Sequence, residues 1–309
     1  MSKGNIDTQC ITLAAIDIGS NAARLIIKQF DERLPEPERV KKLMFVRVPL
    51  RLGKDVFTLG KVSKDREYMM LHMLKGYRQF MKVYHVNAYR ACATSAMRDA
   101  ENGKKIIKRI KDEAGVDLEI VKGSDEALLL ANNLVEKTGS NEGNFAYVDV
   151  GGGSTEISLI HNGELAESHS YNIGTLRLLA DQVAPETWKE METNLQGYAK
   201  EFPDIRIIGS GGNINKLYKI SDAPINSKQL PVKELRHLYD LLRPMSIEER
   251  KDTFGLKDDR ADVIVPAARI FLDVAKQLQC DDIYVPNISL ADSIVDGLYK
   301  EVKNMVDVD

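Results

Sequence analysis

Phe145–Ile160 reads FAYVDVGGGSTEISLI. An apolar run ends in Asp149, three consecutive glycines follow, and after Ser154, Thr155 and Glu156 a second run alternates towards Ile160. β-Branched and aromatic residues on both sides predict two strands joined by a turn. Three residues without Cβ let successive backbone N–H groups close around an anion, and phosphate is the commonest biological one. Asp149 just before the turn repels a bare phosphate but suits a divalent metal or a metal-bound water beside it. The plainer reading is a glycine-rich hairpin that only turns the chain.

Thr12–Lys28 (TLAAIDIGSNAARLIIK) repeats the design: an apolar strand ending in Asp17, a polar turn through Gly19, Ser20 and Asn21, and a second strand. The two stretches lie too far apart for a solenoid repeat. They fit two similar domains, each giving one loop to a shared cleft. Gly209–Gly212 (GSGG), after a short strand at Ile205–Ile208, is a third anion or nucleotide candidate. A P-loop needs GxxxxGK[ST] with a helix behind it, and the first two loops are followed by strands.

At 309 residues and 43% hydrophobic, the chain has room and core for two domains. A net charge of −3 gives no basic footprint for nucleic acid. Cys10, Cys92 and Cys280 form no CxxC pair, so neither a disulfide framework nor a zinc site is indicated. No signal-like start and no long apolar run occurs, which predicts a soluble cytoplasmic protein without a membrane segment.

Asp31–Lys42 is charged and contains proline, and reads as an exposed loop; Phe45–Leu52 reads as an extended edge segment carrying Arg47 and Arg51. Ser63 caps a helix to about Tyr84, with Tyr68, Met69, Met73, Tyr77, Phe80, Met81 and Tyr84 as its core stripe. Thr94 and Ser95 are cap or phosphate-contact residues, and Arg98 fits a phosphate oxygen or a surface carboxylate equally. Asn162-Gly163 predicts a two-residue hairpin turn. Arg177 points either to a cleft or to solvent. Ser246 with Glu249 forms a capping-box pattern. Pro266, inside Arg260–Cys280, kinks that helix or marks its true start.

The carboxylates beside the loops are Asp17, Glu126, Asp149 and Glu156. Phosphoryl transfer asks for anchored phosphates, a metal and a group orienting the nucleophile. Glu126 is the candidate for the last role. Its position in the first turn of a predicted helix also fits a plain helix-stabilising carboxylate.

In this order the pieces resemble the Ppx/GppA family of exopolyphosphatases and guanosine pentaphosphate phosphohydrolases. The resemblance rests on IDIGSN at 16–21, TSAMR at 94–98, GSDEA at 123–127, VDVGGGSTEIS at 148–158, IGTLRL at 173–178, GSGGN at 209–213 and RADVIVPA at 260–267. It implies an α/β fold of two ribonuclease-H-like domains, of the actin, sugar-kinase and heat-shock-chaperone group, with the active site between them. Domain I would span 1–124 plus 290–309, and domain II 125–289. It also implies that Glu126 is catalytic and that Gly19, Ser20, Asn21, Arg98, Gly151, Gly152, Gly153, Ser154, Thr155 and Gly211 contact phosphate. Asp149, Glu156 and Asp17 fall near Mg2+ or another divalent cation. Arg47 and Arg51, with Lys54, would line a polymer path. The chain looks like the short, two-domain form, and a homodimer through the Met/Tyr-rich helix or 224–250 is compatible with it.

Several positions depart from the family pattern: Ala22 replaces a hydroxyl residue, Asn213 a threonine, and SLADS at 289–293 a glycine- and arginine-containing motif. The expected function is metal-dependent release of terminal phosphate from inorganic polyphosphate. The alternatives are hydrolysis of guanosine pentaphosphate, a non-catalytic polyphosphate or nucleotide sensor, and an ATP-dependent kinase.

Overall fold

A computed structural model describes residues 9–122, 142–224, 226–286 and 289–306. The chain divides into two compact units, Met1–Lys122 with Leu290–Asp309, and Gly123–Ser289.

The first unit is built on a sheet ordered β3-β2-β1-β4-β5, from β1 (Cys10–Ile18), β2 (Ala23–Asp31), β3 (Val40–Val48), β4 (Ala88–Ala93) and β5 (Glu119–Ile120). The three leading strands form an antiparallel meander, and β4 and β5 add in parallel. β1 is buried along nearly its whole length, as its continuous apolar run requires for a central strand. The helices are α1 (Leu52–Leu59), α2 (Lys64–Val83), α3 (Ser95–Asp99), α4 (Gly103–Ala114) and the terminal α12 (Leu290–Val306), which packs on β1, β2 and β4.

The terminal helix is tied to the sheet by charge. Lys28, only 5% exposed, donates to Asp296 at 2.8 Å and lies 3.1 Å from Asp292, which Lys42 also approaches at 3.5 Å. A buried ammonium needs such partners to remain charged. The SLADS departure thus places a carboxylate that anchors this helix. Phe30 and Tyr299 stack beside it, with ring centroids 4.1 Å apart.

Three readings of the first unit are corrected. The segment expected as loop to Lys42 is strand from Val40: β3 is an edge strand, and its exposed first residues tolerate the charges of Lys41 and Lys42. The extended reading of Phe45–Leu52 ends at Val48, and Leu52 opens α1, whose inner side is Leu52, Val56 and Phe57. In α2 the buried side is Met70, Leu71, Leu74, Tyr77 and Met81, whereas Tyr68, Met69 and Phe80 are exposed. Ser63 caps this helix by accepting the Arg66 N–H.

The second unit has a six-stranded sheet in the order β10-β11-β9-β6-β7-β8: β6 (Asn144–Val150), β7 (Thr155–His161), β8 (Glu164–Tyr171), β9 (Arg206–Ser210), β10 (Gln229–Pro231) and β11 (Asp282–Tyr284). An antiparallel meander again leads, with β9 parallel to its first strand. Asn162 and Gly163 both take positive φ at the β7–β8 turn, as a type I′ hairpin demands. The helices are α5 (Thr175–Leu179), α6 (Pro185–Glu201), α7 (Gly212–Ile220), α8 (Val232–Leu242), α9 (Ile247–Phe254), α10 (Asp258–Ala261) and α11 (Ile264–Gln277). α11 is the most buried of them and packs against α5, α6, α7, α8 and β6. Pro266 lies in its first turn, where a missing N–H costs nothing. The Ser246–Glu249 capping box is closed at 2.7 and 3.2 Å. Among the described residues no helix is long and apolar enough to cross a membrane.

Candidate active site

The two glycine-containing turns are built alike. In the first unit Gly19 N–H donates to Ala22 O at 3.1 Å, closing the hairpin. The carbonyls at its tip point back into the fold: Ser20 O accepts from Gly53 N–H and Asn21 O from Arg51 N–H, both at 2.8 Å. These donors sit at the start of α1, where amides lack helical partners. Arg51 takes a left-handed conformation (φ 54°) to present its N–H there.

In the second unit Gly151 N–H donates to Ser154 O at 2.9 Å. Gly151 O accepts from Thr175 N–H at 3.0 Å, and Gly152 O from Leu176 and Arg177 N–H at 2.8 and 3.2 Å. Gly153 O accepts from the Arg177 side-chain Nε at 2.8 Å. So Arg177, left between cleft and solvent by the sequence, clamps the turn. All three glycine carbonyls are engaged, and among the described residues none of the Gly152, Gly153 and Ser154 N–H groups meets a backbone carbonyl. Backbone donors gathered on one side of a turn, with the carbonyls held on the other, form an anion nest.

The close approach of α5 is possible because residue 174 is glycine. A Cβ there would come within 2.5 Å of the Gly152 carbonyl carbon and oxygen and would overlap Gly153. Thr155 is fully buried and its hydroxyl donates to Ile173 O at 2.6 Å, so that side chain fastens the turn to the strand end ahead of α5.

Each turn also has a buried hydroxyl beside it with no hydrogen-bond partner among the described residues: Ser95 Oγ in the first unit and Thr175 Oγ1 in the second. Ser95 lies next to Ala96, whose N–H donates to Ser20 Oγ at 3.1 Å. Ser95 is the cap or phosphate-contact candidate of the sequence; Thr175 is not among its candidates, because nothing in GTLRL marks one polar residue for the turn. Arg98 donates to Val121 O at 3.2 Å and lies 3.9 Å from Asp99.

The hairpin closures fix the carboxylates. Asp149 stands directly opposite Glu156, and Asp17 opposite Arg24. Asp149 accepts from Ser210 Oγ at 3.3 Å and packs against Gly211, where a Cβ would meet Asp149 Oδ1 at 2.7 Å. Gly211 also has φ 94°, so glycine is required there twice over. Glu156 is 2% exposed and accepts from Ser170 Oγ at 2.8 Å. The second and third loops thus converge on one carboxylate pair.

Two hard oxygen ligands, each oriented by a hydroxyl, fit a magnesium-like cation, which uses one or two carboxylates and completes its shell with water and phosphate oxygens. No cluster of three or more His, Cys, Asp or Glu suited to a metal occurs among the described residues.

Asp17 differs. It is 1% exposed and ion-paired with Arg24, a residue not singled out from the sequence. Arg47 is the next residue across the sheet from Arg24. Tyr77 of α2 lies in the field of all three: burial and then Asp17 raise its hydroxyl pKa, while Arg24 and Arg47 oppose the rise. At the third loop Arg260 donates to Asn213 Oδ1 at 2.5 Å, and a Cβ on Gly212 would overlap its guanidinium. The amide at 213 therefore serves as that arginine's acceptor. Glu126 lies outside the described residues.

The model of the Ppx/GppA phosphatase family matches residues 38–301. The chain belongs to this family. As a Ppx/GppA phosphatase it is an enzyme, a phosphoanhydride hydrolase. Exopolyphosphatase 2 of Mycobacterium tuberculosis is 28% identical over 291 residues, covering 86% of this chain and 91% of the relative. A crystal structure of the Aquifex aeolicus Ppx/GppA family member is 26% identical, with a TM-score of 0.74 over 96% of this chain and 99% of that one. An exopolyphosphatase structure from Cytophaga hutchinsonii shares the fold at 23% identity, with a TM-score of 0.82 over 94% and 98% of the two chains.

Proposed function

We propose that this Ppx/GppA phosphatase is an exopolyphosphatase that releases the terminal phosphate of inorganic polyphosphate. The observation that carries the reading is the pair of glycine turns with their carbonyls tied back onto following helices. Such turns offer donors to phosphate oxygens without a counter-charge that depends on the rest of the substrate. The exopolyphosphatase relatives from M. tuberculosis, which match along most of their length, support the same substrate.

In this reading Gly19, Ser20, Asn21 and Arg98 of the first unit, and Gly151 to Ser154 with Gly211 of the second, hold phosphates, the two buried hydroxyls adding donors, while Thr155, buried and bonded to Ile173 O, holds the turn in place. Asp149 and Glu156 hold a divalent cation, which when bound offsets charge on the phosphate oxygens. Glu126 orients the attacking water and takes its proton. Arg47 and Arg51 line the path of the polymer.

A substrate panel tests this. With magnesium, orthophosphate release from long-chain polyphosphate is expected to exceed release from guanosine pentaphosphate by at least about tenfold in kcat/KM. The reverse order would make the enzyme a guanosine pentaphosphate phosphohydrolase working through the same loops. Tight binding of polyphosphate without release would leave a sensor.

A further inference from the structure

The second unit carries an open groove of about 430 Å3 between α6, α8 and α11, formed by none of the glycine turns or carboxylates described above. Its half-buried walls include Trp188 and Tyr239, and three exposed cations, Arg236, Arg269 and Lys276, stand at its rim. Arg269 lies over the Trp188 ring at 5.2 Å and Arg236 over the Tyr239 ring at 5.8 Å. Among the described residues none of the three cations forms an ion pair with a carboxylate. Arg236 and Arg269 face rings, and Arg269 and Lys276 also lie in the field of Asp273 on the same helix.

Two carboxylates, Glu192 and Asp273, also line the groove, leaving one positive charge in excess. One oxygen of Asp273 is sealed from solvent without a hydrogen-bond partner among the described residues. Burial, and then Glu192 beside it, raise the Asp273 pKa, while Lys276, Gln277 and Arg269 oppose the rise.

We infer that this groove binds a nucleotide, with the base against Trp188 and Tyr239 and the phosphates on Arg236, Arg269 and Lys276. The size is within the range of small-molecule sites. Aromatic faces stack any base, and guanidinium forks match phosphate oxygens. Inorganic phosphate or polyphosphate would use the cations alone, leaving no role for two half-buried rings each held beneath an arginine. The site is separate from the proposed polyphosphate chemistry and does not depend on it.

Trp188 is the sole tryptophan of the chain, so its fluorescence reports on this groove directly. ATP titrated into the full-length protein is expected to change that emission saturably. Tripolyphosphate is expected to bind at least about tenfold more weakly by the same signal. Combining Arg236→Ser with Arg269→Ser is expected to weaken ATP binding at least about tenfold, with melting temperature and phosphate release unchanged. Absence of a saturable change, equal affinity for tripolyphosphate, or an undiminished response in the double variant would each overturn the assignment. Isothermal titration of the same variants with ATP gives a second readout that does not depend on emission.

Discussion

Glu126→Gln is expected to lower phosphate release from polyphosphate at least about a hundredfold, the usual scale for loss of a general base. The amide keeps the size of the carboxylate but cannot take a proton, so folding and substrate binding are expected to persist and the loss to fall on kcat. A drop in kcat/KM equal to that in kcat marks an interaction made only in the transition state. If Glu126 were only a helix-stabilising first-turn carboxylate, the substitution would cost a few tenths of a kcal/mol of stability and leave kcat alone. Comparing kcat with melting temperature therefore separates the two roles.

The second large effect is expected at Gly174. Its φ of −138° is ordinary extended backbone that any residue adopts, so Gly174→Ala introduces no backbone strain of its own. The obstacle is contact: the added Cβ falls within 2.5 Å of the Gly152 carbonyl, and backbone cannot swing aside as a side-chain end can. Separating α5 from the turn breaks the hydrogen bonds from Thr175, Leu176 and Arg177 to the glycine carbonyls. Overpacking of this kind costs about 1–3 kcal/mol. A displacement of the phosphate-binding turn by about 1 Å is expected to reduce kcat/KM about a hundredfold. Gly197→Ala in α6 is the control, because no atom lies within 4 Å of its Cβ position. There the change is expected to stabilise by about 0.5–1 kcal/mol, from helix propensity. Denaturant melts and steady-state kinetics of both variants check this; identical behaviour of the two would refute the packed turn.

The doubled strand–Asp–Gly-turn–strand pattern made the two similar sheets legible, because a meander is a local structure written in consecutive residues. The carboxylate partners were legible too, by register. Once Gly19 closes on Ala22 and Gly151 on Ser154, position 17 must face 24 and position 149 must face 156. That arithmetic would have revealed Arg24 beside Asp17.

What was not legible depended on contacts distant in sequence. α2 has apolar residues on more than one side, and tertiary packing, that of α4 included, selects Met70, Leu71 and Leu74 over Tyr68 and Met69. α1 is short and follows Pro49, so its start at a left-handed Arg51 left no periodicity to count. Gly174 and Arg177 gained their meaning only once α5 was seen lying on the glycine turn. Asn213 is a lost threonine by pattern alone, and its role as the acceptor for Arg260 depends on a contact 47 residues away in the chain.

The most direct test of the central claim is hydrolysis of long-chain polyphosphate in water enriched in oxygen-18, with magnesium present. Attack of a water on the terminal phosphorus predicts one labelled oxygen in each released orthophosphate and none in the shortened polymer. Label accumulating at the ends of the remaining polymer would contradict attack on the terminal phosphorus, and no release of orthophosphate would contradict terminal hydrolysis by this enzyme.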